Sequence, residues 1–261
     1  MKRFEHKNVL VTGSASGIGL AICHRLTSEG AKLVFIDRNV EAGKTVENEL
    51  THLGRLALFV EADLTDENAV EGAFAKVLET LGHVDVLVNN AGGAFSEDYE
   101  ETTLESWNAD LALNLTAHFV LTRLVLSGMV AQGRGVITNV SSVNAIQALG
   151  NPAYSAAKAG LISFTQTLAI GYGPKGIRSN AVLPGTVETP VWRHRVEARP
   201  EVLELVKSWY PQGRVGQPED IAAAVAFLSA DEAGFVNGTS LTVDGGLTAG
   251  NFRMIQDIIG K

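Results

Sequence analysis

The 261-residue chain has one cysteine, Cys23, which excludes an internal disulfide and any cysteine-cluster metal site. Cys23 falls in a predicted helix and reads as a small core residue. A basic tract is missing too. Twenty-one Lys and Arg stand against 29 Asp and Glu, a formal net charge of −8, so nucleic acid is not an expected partner. The six histidines (His6, His24, His52, His83, His118 and His194) show no metal-ligand spacing, and no metal is expected. No apolar run reaches the roughly 20 residues of a membrane span. The opening MKRFEHKNVL has no apolar signal core, so a soluble, cytoplasmic protein away from membranes is expected. No Pro/Ser-rich linker or charge block divides residues 1–261, which read as one domain.

What remains is 46% hydrophobic and 19% charged, a composition that supports a buried core. Short apolar, β-branched runs at 8–12, 32–36, 56–61, 84–89, 135–141, 178–183 and 239–243 read as strands. They show little alternation, as expected when helices cover both faces of a sheet. Helical patterns lie between them at 17–29, 40–52, 66–81, 103–129, 152–173 and 218–228. This βαβ rhythm predicts an α/β, doubly wound parallel sheet of seven strands. Two segments break it. Residues 186–214 carry two tryptophans, three arginines within 193–199, and Pro190, Pro200 and Pro211, and read as a substrate loop or lid. In the tail, 248–261, Phe252, Met254, Ile255, Ile258 and Ile259 predict a short apolar helical face suited to a subunit contact.

The first strand runs into TGSASGIG, with Gly13, Gly17 and Gly19 ahead of a helix. Such a turn lets backbone N–H groups and a helix N-terminus meet a pyrophosphate. Ser16 and Ile18 belong to the same turn. Asp37 ends the second strand twenty residues after Gly17, where a carboxylate accepts from ribose hydroxyls and repels the extra phosphate of NADP. Ser16 brings no basic side chain for that phosphate, whereas Arg38 does, so NAD is favoured and NADP stays open. Asp63 and Leu64 after the third strand, and Asn89, Asn90, Ala91 and Gly92 after the fourth, fall at the same ligand edge. Tyr154 and Lys158 stand four residues apart on one helical face. A phenol titrates near pH 10, and an adjacent ammonium stabilises its anion.

The joint order and spacing of TGSASGIG, Asp63, the NNAG segment, Asn114, Ser141 and Ser142, Tyr154 and Lys158, Pro184 and Gly185, and the DGG at 244–246 resembles the short-chain dehydrogenase/reductase family, over essentially the whole chain. The resemblance implies a Rossmann-like fold and a nicotinamide cofactor. It also implies a catalytic set of Asn114, Ser142, Tyr154 and Lys158. In that set Tyr154 exchanges a proton with the substrate oxygen and Ser142 hydrogen-bonds it. Lys158 lowers the tyrosine pKa and holds the nicotinamide ribose, and Asn114 holds a water in the proton relay. Counting along the strand assigns the serine role to Ser142. Counting back from Tyr154 gives 12 residues to Ser142 and 13 to Ser141, and members of the family often show 13. Strand register is the stronger guide. Pro184, Gly185, Val187 and Thr189 resemble the carboxamide-binding segment, although Thr189 equally suits a helix N-cap.

For substrate, Ser142, Asn144, Gln147, Tyr154, Gly185 and Trp192 are the candidates to line a pocket. Asn144, Gln147 and Asn151 favour a sugar or polyol, and Arg193 or Arg195 suits a carboxylate. The leading expectation is an NAD-dependent oxidoreductase of a small-molecule secondary alcohol or ketone. The alternatives are an NADPH-dependent 3-oxoacyl-thioester reductase and, from another class, a non-catalytic nucleotide-binding module. The resemblance further implies a homotetramer.

Overall fold

Seven short apolar segments pair side by side in the computed structural model of the chain, which describes residues 2–260. β1 (Asn8–Thr12) leads through α1 (Gly17–Ser28) to β2 (Lys32–Asp37), α2 (Val40–His52), β3 (Ala57–Glu61), α3 (Glu67–Leu81) and β4 (Val86–Asn89). Then follow α4 (Leu104–Leu111), a π-helical turn (Ala112–Thr116), α5 (Ala117–Gln132), β5 (Gly135–Val140), α6 (Pro152–Tyr172) and β6 (Ile177–Pro184). The insert holds α7 (Arg193–Ala198) and α8 (Val202–Lys207). The chain continues with α9 (Pro218–Ser229), β7 (Ser240–Val243) and α10 (Phe252–Ile259).

Every strand pair is parallel, in the order β3-β2-β1-β4-β5-β6-β7. Within a strand, successive side chains feed opposite layers. Val9 and Val11 of β1 join Ile22, Leu26 and Val225 in one core, beneath the packed pair α1 and α9. Leu10 joins Leu87, Leu121 and Val125 in the other, beneath α3 and α5. The winding direction reverses between β1 and β4. Loops leaving the two C-terminal strand ends therefore diverge, and the crevice between them is where a doubly wound sheet receives a ligand.

Three differences from the sequence reading matter. The helix expected at 103–129 is interrupted by the π-turn and extends to Gln132. Taken whole, Leu104–Gln132 is 29 residues long and apolar enough to cross a membrane by length and composition, so the expectation that no run reaches that length does not hold. It packs here on α3 and α6 within the helical layer. The insert is helical rather than an irregular loop.

Candidate active site

The crevice at the switch point is a cavity of about 520 Å³. It is lined by Gly13, Ser16, Gly17, Ile18, Gly19, Asp37, Arg38, Asp63, Leu64, Asn90, Ala91, Gly92 and Thr189, all expected at a cofactor site. Ser16 precedes α1 without a side-chain cap, so the first-turn N–H groups keep no side-chain partner. A Cβ at Gly19 would overlap the Gly13 carbonyl, so only glycine lets the turn close this tightly. Asn90 ties that turn to β4, donating through Nδ2 to the carbonyls of Thr12 (3.0 Å) and Gly13 (2.8 Å).

Asp37 has a second task that its position in sequence does not reveal. Its Oδ2 accepts from Ala15 N and its Oδ1 from Asn39 N, each at 2.9 Å, so the carboxylate also braces the glycine turn. Asp63 lies below the ordinary carboxylate range because the Thr65 N–H and hydroxyl both donate to it. An uncapped helix N-terminus, a carboxylate at the end of β2 and tightly packed glycines fit a dinucleotide.

Beyond the cavity, α6 carries Tyr154 and Lys158. Lys158 is buried and donates from Nζ to the Val140 carbonyl at 2.9 Å, with Nζ 5.6 Å from the Tyr154 ring centroid. A Cβ on Gly92 would come within 2.8 Å of Asn114 Oδ1 and 3.1 Å of Lys158 Nζ, so glycine is what lets these groups crowd the end of β4. The two serines separate cleanly. Ser141 is buried and donates to the Lys158 carbonyl at 2.8 Å, whereas the Ser142 hydroxyl donates to Asn144 Oδ1 at 3.3 Å and stands close enough to the Tyr154 phenol to favour its ionisation.

Burial dominates the electrostatics of Tyr154 and Lys158. Burial pushes Tyr154 up, opposed by the Ser142 hydrogen bond and reinforced by the charge of Asp110. Burial also pulls Lys158 down to about 7. The Ser142 hydroxyl favours the phenolate, and so does Lys158 in its charged form, with Nζ 5.6 Å from the ring.

Of a second row of groups, the sequence reading gave a site role to Asn114 alone. Asp110, Asn114, His118 and Thr122 recur every fourth residue through α4, the π-turn and α5, and all four are buried. Each meets every second residue of the chain leaving β4, in reverse order. Asn89 Nδ2 donates to Thr122 Oγ1 (3.0 Å), and His118 Nε2 pairs with the Ala91 carbonyl (2.8 Å). Asn114 clasps Gly93 twice, accepting from its N–H (3.1 Å) and donating to its carbonyl (2.8 Å). Asp110 Oδ2 accepts from Phe95 N (3.4 Å). The match is geometric: four helical residues rise about 6.0 Å, and two extended residues span about 6.6 Å. The period-four spacing was visible in the sequence, but it does not say which helix face is buried.

The expected substrate groups fare unevenly. Asn144 donates to the Gly150 carbonyl and Ser155 Oγ, and its Oδ1 accepts from Ser142. Asn151, in the left-handed region at φ +50°, donates to the Ser96 carbonyl at 2.7 Å. Gln147 is exposed. The amides that pointed to a sugar or polyol are thus largely committed to their own loops. Gly185 packs near Asp244 and the Tyr210 hydroxyl, which accepts from Thr186 N. Val187 forms a bridge with Gly216. Arg195 stacks on Trp192 with Cζ 4.9 Å from the ring, and its Nη2 meets Glu97 Oε1 at 2.5 Å, so it already has its carboxylate.

Comparison with known proteins agrees with this geometry. A family model described as enoyl-(acyl carrier protein) reductase matches residues 13–248. An uncharacterized oxidoreductase of Schizosaccharomyces pombe is 45% identical, over 98% of this chain and 96% of the relative. A cyclopentanol dehydrogenase of Comamonas is 38% identical, over 95% of this chain and 100% of the relative. The crystal structure of an oxidoreductase of the short-chain dehydrogenase/reductase family from Burkholderia thailandensis superposes with a TM-score of 0.92 at 46% identity, covering 98% of each chain. A glycine turn at the switch point, a Ser142–Tyr154–Lys158 cluster beside it and matches spanning nearly the full length lead to one conclusion: the chain belongs to the short-chain dehydrogenase/reductase family of oxidoreductases, which act with a nicotinamide cofactor.

Proposed function

We propose that the protein is an NAD-dependent dehydrogenase of small secondary alcohols, working reversibly on the corresponding ketones. The observation that carries this reading is the cluster of Tyr154 and Lys158 one turn apart on α6, with Lys158 Nζ 5.6 Å from the Tyr154 ring and Ser142, just after β5, acting on the phenol. A nicotinamide ring supplies the hydride acceptor or donor when bound. Ser142 orients the substrate oxygen by hydrogen bonding, and Tyr154 as its anion takes the hydroxyl proton while the carbinol C–H leaves as hydride. Lys158 Nζ and Asn114 stand behind Gly92, where they hold the polar floor of the site. Asp37 and Ser16 favour NAD.

The committed amides of Asn144 and Asn151 move the substrate away from a sugar or polyol toward a less hydroxylated, alicyclic alcohol. The relative that acts on cyclopentanol supports this direction. Arg38 lines the same cavity as Asp37, and this favours a second reading, an NADPH-dependent 3-oxoacyl-thioester reductase. A spectrophotometric screen at the reduced-nicotinamide band decides between them. Cyclopentanol, polyols, sugars and hydroxy acids are offered with NAD or NADP, and 3-oxoacyl and enoyl thioesters with NADH or NADPH. Turnover confined to NADP(H) and thioesters would overturn the first reading. Tyr154→Phe is expected to lower kcat by at least about a hundredfold while leaving NADH affinity within about twofold. Undiminished turnover would remove Tyr154 from the reaction.

The protein is further proposed to be a homotetramer. Leu104 on α4, Phe119 on α5 and Ile170 on α6 are exposed, as are the small residues Ala156 and Ala159. These surfaces suit helices packing across a two-fold axis.

A further inference from the structure

Among the groups clustered around Tyr154, one carboxyl has no part in the chemistry described above. Asp110, in the last turn of α4, is fully buried, yet it has no Lys or Arg partner among the described residues. Its Oδ1 lies 3.3 Å from Asn114 Nδ2 and its Oδ2 3.4 Å from Phe95 N. A buried carboxylate held by two long hydrogen bonds is costly, and replacing it with an apolar side chain would ordinarily relieve that cost. The neighbours on either side say what it does. Asn114, one turn on, clasps both polar atoms of Gly93, and Asp110 takes the N–H of Phe95 two residues later.

We infer that Asp110 is a positioning residue of the reaction centre: its backbone carbonyl accepts from Asn114 Nδ2 at 2.9 Å while its carboxylate holds the Phe95 N–H, so that residues 93–95 stand at a set distance from Tyr154 and Lys158. The inference rests on the dehydrogenase reading of this site. The titratable groups around Asp110 are Tyr154 and Lys158 from α6 and His118 along the same buried row. Glu97 and Asp98, on the adjoining loop, are exposed. A buried negative charge opposes formation of a neighbouring phenolate, and Asp110 acts on Tyr154 in that direction. Asp110 therefore trades some ease of tyrosine ionisation for a fixed pocket wall.

Asp110→Asn keeps the shape, removes the charge and leaves one oxygen for two N–H partners. Two readouts need no substrate. The first is the tyrosinate absorbance titration. With four tyrosines in the chain, subtracting the Tyr154→Phe form made in the same background isolates Tyr154. In Asp110→Asn, Tyr154 is expected to ionise roughly half to one pH unit lower. The second is amide exchange at Phe95, expected to quicken about tenfold as its acceptor weakens. A Tyr154 titration and a Phe95 exchange rate both unchanged would overturn the inference. Asp110→Ala should quicken Phe95 further, and if it fails to fold, Asp110→Asn decides alone. Failure of the dehydrogenase reading shows separately, as turnover that survives Tyr154→Phe.

Discussion

His118 shows how much a single buried side chain sets. Its Nε2 pairs with the Ala91 carbonyl, and its Nδ1 is buried with no partner among the described residues. Burial, then the nearby Lys158 charge, pulls its pKa from 6.5 down to about 3. The unfolded chain thus takes up a proton below pH 6.5 that the native protein refuses until about pH 3. Stability should fall as pH drops through that window, by at most about 1.4 kcal/mol per pH unit from this group. His118→Gln retains an N–H for Ala91 and cannot titrate, so its acid-side slope is expected to be shallower. Urea denaturation at pH 7, 5.5 and 4.5 measures this, and parallel slopes for the two proteins would contradict it.

At the scale of elements, the pocket is walled by two segments that meet only through side chains. Glu97, after β4, pairs with Arg195 on α7, and Arg195 stacks on Trp192. The pair is partly exposed, so it contributes little to stability, roughly 0–1 kcal/mol. Its effect falls on how the insert closes. Glu97→Gln is expected to raise the substrate KM by about two- to fivefold with NADH affinity unchanged. The parent's KM should rise with added salt while the variant's does not. A KM equally insensitive to salt in both would rule out the contact as a closure device.

The strands were legible in the sequence because both faces of the central ones are buried, which leaves unbroken apolar runs such as residues 9–11. The π-turn was not, since Ala112–Thr116 contains nothing that resists an ordinary helix. The insert's short helices hid behind three prolines and mixed polar residues. At the site, the residues that line the switch-point cavity were legible because turn chemistry fixes them locally. The buried row on α4 and α5 was not, because its partners lie in another segment of chain.

Across the whole molecule, apolar surface left uncovered is the main unexplained cost. On α10, Met254, Ile255, Ile258 and Ile259 stand exposed on an eight-residue helix, alongside the open faces of α4, α5 and α6. Assembly into a tetramer would remove such surface from water at about 25 cal/mol per Å². Light scattering should return about four times the 27.7 kDa chain mass, and truncation after Ala249 should lower that mass or the Tm. A monodisperse 27.7 kDa species at micromolar concentration would refute the assembly.

The pairing of every fourth residue in 110–122 with every second residue in 89–95 has an evolutionary consequence. One residue inserted or deleted in either stretch would slip all downstream partners, so neither can change length without the other failing to mesh. The loop at 97–103 has no such partner row. As related chains diverge, gaps should collect in that loop and stop abruptly at Phe95 on one side and Asp110 on the other.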